Sequence, residues 1–594
     1  MPIQLSRYLQ FAYLIVAAAT FPFFAGCRPA ADRSEESSAP TIPQPADAPA
    51  YSSSLMADLD SPPPLVSVEA ASLDVVFPVL SDIHDTLGIK FVYENGHSST
   101  RRMNESAGGG AGWLDFDLDG LLDLYCVQAG PSDAVERSSN QPDVLFRNQG
   151  GRFEDIGELA GIEDRKYGYG IAIADFDADG FHDVYVTNVG RDTLYKNLGD
   201  GTFADMTMEC NVINYLWGSS AAWSDLNADG LLDLYVCNYL DYDPANPIAC
   251  YDDNGVPRIC HPDNVGPVPN RLFISKGDGT FEECLKSRGM DADNSKSLGV
   301  VIADFNQDFA PDVFVANDTT YNHLFLNDGT GHFQENGVAA GCAVSGRGQF
   351  QASMGVAFGD YNRDGIWDLY LTHFTSDSNT LYRGLGGGGF LDVTREESLH
   401  EPTLAFLGFG TVMMDLDCNG SDELFVVNGD VDASDGDAWK MTQQLFVYNG
   451  RSWVDCTNRA GECFRKEYLG RGVAVGDLDD DGYPEIAVIN QGDEACILRS
   501  QERTGHWLNV SFLSESANRH GIGAVVTVEQ SGGKLVQVLA GGTSYCASHQ
   551  QKLFFGLGDN GSSCLIRVRW PNGREQVLEN VAVNQHLVVR DRGI

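Results

Sequence analysis

The sequence predicts an all-β protein, a seven-bladed β-propeller followed by a small β-rich C-terminal domain. Three observations predict it. An acidic stretch recurs seven times, the residues flanking it recur in fixed register, and the last copy lacks an outer strand that a segment before the first copy can supply.

The acidic stretches are DFDLDGLLD from Asp115, DFDADGFHD from Asp175, DLNADGLLD from Asp225, DFNQDFAPD from Asp304, DYNRDGIWD from Asp360, DLDCNGSDE from Asp415 and DLDDDGYPE from Asp477. Their starts lie 50 to 79 residues apart, a blade-sized period rather than that of a helical solenoid. Five positions before each start stands Gly110, Gly170, Ser220, Gly299, Gly355, Gly410 or Gly472. Small residues at every second place, as in GIAIAD, mark a strand closely approached by its neighbours, as an innermost strand must be. Downstream runs such as VYVTN and LYLTH predict a second strand, and LYKNLGDGTFADMT and its counterparts a hairpin. Four strands repeated seven times describe a propeller. The seventh unit stops after its third strand, near 495–499, and VVFPVLSDIHDTLGI (75–89) resembles the missing fourth, so an N-terminal strand is expected to close the ring.

Alternating Asp and Asn before a Gly turn are the ligands of a calcium loop, because a hard cation takes six to eight oxygens. Positions one, three, five and nine supply Asp115, Asp117, Asp119 and Asp123 in the first loop, and Asp175, Asp177, Asp179 and Asp183 in the second. They supply Asp225, Asn227, Asp229 and Asp233 in the third, Asp304, Asn306, Asp308 and Asp312 in the fourth, and Asp360, Asn362, Asp364 and Asp368 in the fifth. The sixth offers Asp415, Asp417, Asn419 and Glu423, and the seventh Asp477, Asp479, Asp481 and Glu485. Up to seven Ca²⁺ are expected. The site at Asp304 should be the weakest, since Phe309 replaces the Gly that accepts positive φ. Asn419 should weaken the sixth by lowering its charge.

A formal charge of −45 excludes nucleic acid as a partner and disfavours anionic membrane surfaces. Residues 1–27 read as a lipoprotein-type signal peptide, with an apolar run at 11–24 leading to FAGC, so Cys27 is the expected lipidation site. Residues 28–71 are a Pro-, Ser- and Ala-rich tether, 72–504 the propeller and 505–594 the C-terminal domain. The expected location is an exported, membrane-anchored lipoprotein or a secreted protein, monomeric, touching membrane only through its lipid. Export permits disulfides, and Cys250 with Cys260, and Cys456 with Cys463, are the candidate pairs.

The loops and their flanks resemble FG-GAP, or VCBS-type, repeats as in the propeller of integrin α-subunits. NRHGIGAVVTV (518–528), FFGLGD (554–559), RVRWPNGR (567–574) and LENVAVNQHLVV (578–589) are similar to the ASPIC/UnbV domain of cartilage acidic protein-like proteins, as is 88–117. The resemblance implies a secreted or surface calcium-binding protein with adhesion or interaction roles and no established catalysis.

Thirteen positions after each loop start, at the end of strand two, stands Gln128, Asn188, Asn238, Asn317, His373, Asn428 or Asn490. This row could line a ligand face opposite the calcium loops, or each amide could cap the turn after its strand. The loops that follow vary most, reaching 34 residues from Asn238 to Leu272, which places specificity on that face. The expected function is therefore a binding or adhesion module for a protein or glycan. The alternative is a polysaccharide lyase or hydrolase with a cleft at the ring's centre, although no catalytic motif is present.

Overall fold

The computed structural model describes residues 76–132, 141–292, 294–432, 439–559 and 561–591. The chain divides into two units, Met1–Leu73 and Asp74–Ile594, and the described residues belong to the second. The expected leader with Cys27 and the tether lie outside them. Among the described residues no helix is long and apolar enough to cross a membrane.

Seven four-stranded antiparallel sheets form the propeller. Blade two shows the pattern, pairing Gly168–Ala174, Asp183–Asn188, Thr193–Asn197 and Phe203–Asp205 in that order. Blade seven pairs Gly470–Gly476, Glu485–Asn490 and Cys496–Ser500, and takes Leu80–Asp82 as its outer strand, with Leu80 opposite Ser500 and Asp82 opposite Leu498. The N-terminal strand closes the last blade, as the sequence predicts.

The small residues of the innermost strands explain how seven sheets meet around one axis. A Cβ on Gly170 would fall 2.3 Å from the Ser219 carbonyl, on Gly299 2.5 Å from Met354, and on Gly355 2.1 Å from Phe409. The same holds for Gly410 against Arg471 (2.5 Å) and Gly472 against Gly109 (2.2 Å), which carries blade seven back to blade one. Ser220, the one residue at this register with a side chain, turns its Oγ to the Leu298 carbonyl at 2.6 Å. Backbone touches backbone here, so a side chain has nowhere to go.

In each blade strand one runs toward the acidic loop and strand two returns, setting Asn188 opposite Gly168 in blade two. One rim thus carries the acidic loops, and the other carries the residues after strand two. The C-terminal domain has a three-stranded sheet, with Leu553–Gly558 and Gln585–Asp591 flanking His506–Ser514, and a four-stranded sheet. Val525–Gln530 and Gly533–Val538 form a hairpin that turns at SGG. FFGLG lies in a strand, whereas WPNG is a turn closed by the Trp570 N–H to the Arg574 carbonyl. Phe512, Ile522 and Trp570 of this domain share one core with Phe176 and Trp223 of blades two and three.

Candidate metal centres and the two ends of the ring

Each acidic loop is shaped by its own carboxylates. In blade one the Gly120 N–H donates to Asp115 Oδ2 (3.0 Å) and the Asp119 N–H to Oδ1 (3.2 Å). The position-nine acids are wholly buried. Asp123 accepts from Phe116 N–H at 3.1 Å and Asn148 N–H at 2.8 Å, tying loop, second strand and third strand together. Asp183, Asp233 and Asp312 repeat the arrangement with Asn197, Ser275 and Asn327.

Positions one, three and nine converge in four blades. Ligand oxygens of Asp115, Asp117 and Asp123, of Asp175, Asp177 and Asp183, of Asp415, Asp417 and Glu423, and of Asp477, Asp479 and Glu485 lie within 4.8 Å of one another. In blades three, four and five position three is an Asn whose Oδ1 accepts the position-five amide, as Asn227 does from Asp229 (3.0 Å). Position five stands apart: Asp119, Asp179 and Asp481 turn their Oδ1 to the position-seven amide.

The donor set fits a hard cation. Asp117 Oδ1, Asp175 Oδ1, Asp177 Oδ1, Asp417 Oδ2 and Glu423 Oε1 are buried with no hydrogen-bond partner, and an orphaned buried carboxylate oxygen is costly. Burial pushes Asp123, Asp233, Asp368 and Glu485 up to about 8 and Asp312 to about 7, and lifts Asp183 and Glu423 well up. Asp175, Asp225, Asp360 and Asp477 rise to about 6 for the same reason. A divalent cation would offset this repulsion with carboxylate and carbonyl oxygen alone, the chemistry calcium prefers.

The sequence reading missed the basic residues that moderate this charge. Arg147 Nη2 reaches Asp117 (2.6 Å) and Asp119 (3.2 Å), Lys196 bonds Asp177, and Arg499 reaches Asp479 (2.7 Å) and Glu485 (2.6 Å). All three sit at one register of strand three, in LFRN, LYKN and ILRS, in blades whose position three is Asp; Arg383 holds that register in blade five, where position three is Asn362, and Val447 holds it in blade six. The loops therefore differ in how their charge is answered. Asp415, Asp417 and Glu423 are the most buried set and lack such a cation, whereas Arg569 stands 3.3 Å from Asp304 in blade four. Phe309, at φ +77, lays its ring on the Arg569 guanidinium at 4.4 Å.

Arg569 belongs to the C-terminal domain, which lies on the loop-bearing rim. Asn518 N–H donates to the Gly230 carbonyl, Asn509 Nδ2 to Asp477 Oδ2, and Lys552 pairs with Asp480. Its segment 541–550 enters the ring and touches the first strand of every blade. Gly541 bridges Ile302, Ser544 bonds Val356 and Thr411, Cys546 bonds Ile171 and Ser220, Ser548 bonds Ala111 and Trp113, and Gln550 bonds Val475. Tyr545 and Cys546 are wholly buried. No periodicity in LAGGTSYCASHQQ announces this plug; its small residues are the one available signal. A cavity of about 180 Å³ remains between the plug's flanks and blades five and six, lined by Trp367, Met413, His549 and Gln551 among others.

The opposite end is closed too. Met103–Ser106 is buried across it, and Arg471, wholly buried, donates to the carbonyls of Ser106, Gly429, Gly470 and Asp430. Two expectations on this rim are corrected. The amide row lines no surface: Asn188, Asn238, Asn317, His373, Asn428 and Asn490 have no exposed area, and Gln128 almost none. Asn238 Nδ2 bonds Pro269 O, Asn317 Tyr321 O, Asn428 Thr442 O and Asn490 Glu494 O, so each ties down the loop leaving its strand. His373 makes the same turn with Nε2 at 3.1 Å from Thr380 Oγ1, and burial lowers it to about 4. Cys250 and Cys260 form a disulfide, but Cys456 and Cys463 are buried free thiols whose sulfurs lie against Arg459 and the Leu80 carbonyl respectively. Neighbours in sequence are held apart there by the two short 3₁₀ turns that carry them.

What this rim does expose is aromatic. Tyr215, Tyr321, Phe350 and Phe374 lie in loops at the strand-two end and Tyr251 in the short strand Cys250–Tyr251 of the blade-three insert, and Tyr321 packs edge-on to Phe350 at 4.7 Å.

The FG-GAP-like repeat family matches residues 115–186, 175–236 and 304–371, and the ASPIC and UnbV family residues 514–593. Cartilage acidic protein 1 of Xenopus tropicalis is 23% identical over 82% of this chain and 67% of its own length. The Homo sapiens protein is 23% identical over 79% of this chain, which spans 60% of that relative. A solved Agrocybe aegerita lectin that recognises non-reducing terminal N-acetylglucosamine overlays 61% of this chain and 84% of its own, with 14% identity and a TM-score of 0.35. That likeness is one of backbone course alone. The chain thus carries FG-GAP-like repeats and an ASPIC/UnbV domain, and over most of its length it is similar to cartilage acidic protein 1.

Proposed function

We propose that this protein is an exported, calcium-braced binding module, held to a membrane through Cys27, that engages a protein or glycan with the rim opposite its acidic loops. The observation that carries the reading is the unequal use of the two rims. The loop rim is built over by the C-terminal domain, while the other leaves Tyr215, Tyr251, Tyr321, Phe350 and Phe374 in solvent. Aromatic faces set on a rigid ring offer large contact area at little entropic cost, for a sugar ring or a protein side chain alike. Calcium in this reading is structural.

The lyase or hydrolase reading needs a cleft at the axis. Residues 541–550 fill one end of the axis and Met103–Ser106 the other, which weighs against it. His373, the one histidine in the amide row, is buried and neutral rather than presented as a base.

A glycan and protein array probed with the calcium-loaded protein tests the proposal. Capture of one ligand class, lost in Tyr321→Ala/Phe350→Ala and retained in Phe309→Ala, is the expected result. Cleavage of an arrayed glycan, or binding abolished only by changes on the loop rim, would overturn it.

A further inference from the structure

We propose a second kind of metal site, for a transition ion such as Zn²⁺, formed by His84, Asp85 and Glu494 where the N-terminal strand closes blade seven. It is independent of the calcium loops and of the ligand reading above. The three side chains place one ligand atom each within 4.8 Å of one another. His84 Nε2 lies 3.3 Å from Glu494 Oε2 and 3.8 Å from Asp85 Oδ1. Four ligands at about 2.0–2.1 Å around zinc are separated by about 3.3–3.4 Å in a tetrahedron, so the site needs little adjustment.

The tautomer of His84 points the same way. Its Nδ1 lies 2.8 Å from Asp82 Oδ1, and that oxygen also accepts the His84 and Ile497 amides at 3.2 and 3.1 Å. Asp82 is thus an acceptor fixed by the strand of blade seven, and Nδ1 carries the proton. A carboxylate holding one imidazole nitrogen while the other is free is the outer-shell arrangement of zinc-binding histidines. With the ring neutral, Nε2 turns its lone pair toward two carboxylates, so three acceptors face one another until a metal ion or a second ring proton comes between them. A cation resolves that conflict. One imidazole and two carboxylates are too few oxygens for calcium but suit zinc with water at the fourth position.

The site has a use where it stands. The outer strand of blade seven is only Leu80–Asp82, three residues pairing a segment from one end of the ring to Cys496–Ser500 from the other. His84 and Asp85 follow that strand and Glu494 precedes its partner, so the ion would clasp the seam on the strand-two rim. The acids are accessible, with side-chain exposures of 78% for Asp85 and 49% for Glu494, whereas His84 is held at 14%.

The test is calorimetric titration of Zn²⁺ into the full chain with its calcium loops saturated, paired with the visible d–d spectrum of Co²⁺. One site per chain and a tetrahedral cobalt spectrum are expected. Glu494→Gln, at an exposed position that leaves the fold intact, and His84→Gln should each weaken zinc at least about tenfold and abolish the cobalt band, and Asp82→Asn should weaken it about 10- to 100-fold. His332→Gln, an exposed histidine elsewhere, should change nothing. Equal zinc affinity in Glu494→Gln and the parent, or an octahedral cobalt spectrum, would overturn the site. So would a His84 imidazolium, seen by NMR, that zinc leaves unchanged, because the cation between the acceptors would then be a proton.

Discussion

The two rims of this ring are made of the same seven repeats and are put to different use. On the acidic rim the repeats are nearly identical, and several departures are matched by a partner elsewhere. Phe309 replaces Gly and meets Arg569; Asp at position three meets Arg147, Lys196 or Arg499 on strand three in blades one, two and seven, though not in blade six. On the other rim the repeats share only a buried polar residue, an amide in six blades and His373 in the fifth, and everything beyond it differs in length and in what it exposes. The difference teaches where selection for structure ends. A carboxylate buried among carboxylates must be answered locally, whereas a loop past its cap is free to vary.

Removing calcium attacks the acidic rim as a whole and should have the largest effect. With several sites each contributing about 2.7 kcal/mol at a hundredfold excess over Kd, EGTA should lower the unfolding temperature by on the order of 10 °C. Differential scanning calorimetry reads it, and an unchanged Tm would mean the loops hold no ion that matters to folding. A single change at the axis comes next. Gly355→Val sets a Cβ 2.1 Å from the Phe409 carbonyl and should cost about 3 kcal/mol or more in urea unfolding, unlike Gly266→Val, whose Cβ meets only Asp241 Cβ at 4.0 Å.

Two loops on the acidic rim sharpen the comparison further. Burial and then the neighbouring Asp417 hold Asp415 well above the usual carboxylate range, while Arg569 faces Asp304. Asp415→Asn should therefore stabilise the metal-free protein and destabilise the calcium-loaded one by about 2 kcal/mol, a crossover of sign. Asp304→Asn should shift both by less than about 1 kcal/mol. Parallel shifts in calcium and EGTA would break the argument.

The smallest effect lies under the other rim. Burial holds His373 at about 4, below its unfolded value of about 6.5, so its contribution to stability is present above pH 6.5 and lost as pH falls toward 4. His373→Asn, the residue at that register in five other blades, should flatten the Tm–pH profile relative to the parent across that window and leave pH 8 unchanged.

Much of the ring is legible in the sequence because it is local. A period of two over GIAIAD, a loop of fixed length and a Gly at fixed offset each report a strand, a turn and a close approach within a dozen residues. Ring closure by Leu80–Asp82 is legible because the outer strand missing after 495–499 has one candidate upstream. The plug is not, since residues 541–550 bond to seven strands through backbone and small side chains that carry no pattern of their own. The amide row misleads for a related reason. Its register announces a repeated need, but only the loops folded over it decide that the need is a cap and not a surface. How each acidic loop's charge is answered likewise depends on residues such as Val447 and Arg569, remote in sequence from the loops they face.

The claim at the centre is that the loop rim is structural and the opposite rim meets the ligand. Isothermal titration of the ligand class found on the array, with calcium present, tests it most directly on two proteins that fold alike. Tyr321→Ala/Phe350→Ala should lose at least about tenfold in affinity with Tm within about 2 °C of the parent, and Asp415→Asn should keep its affinity while losing Tm. Affinity that follows Asp415→Asn and ignores the aromatic pair would contradict the account.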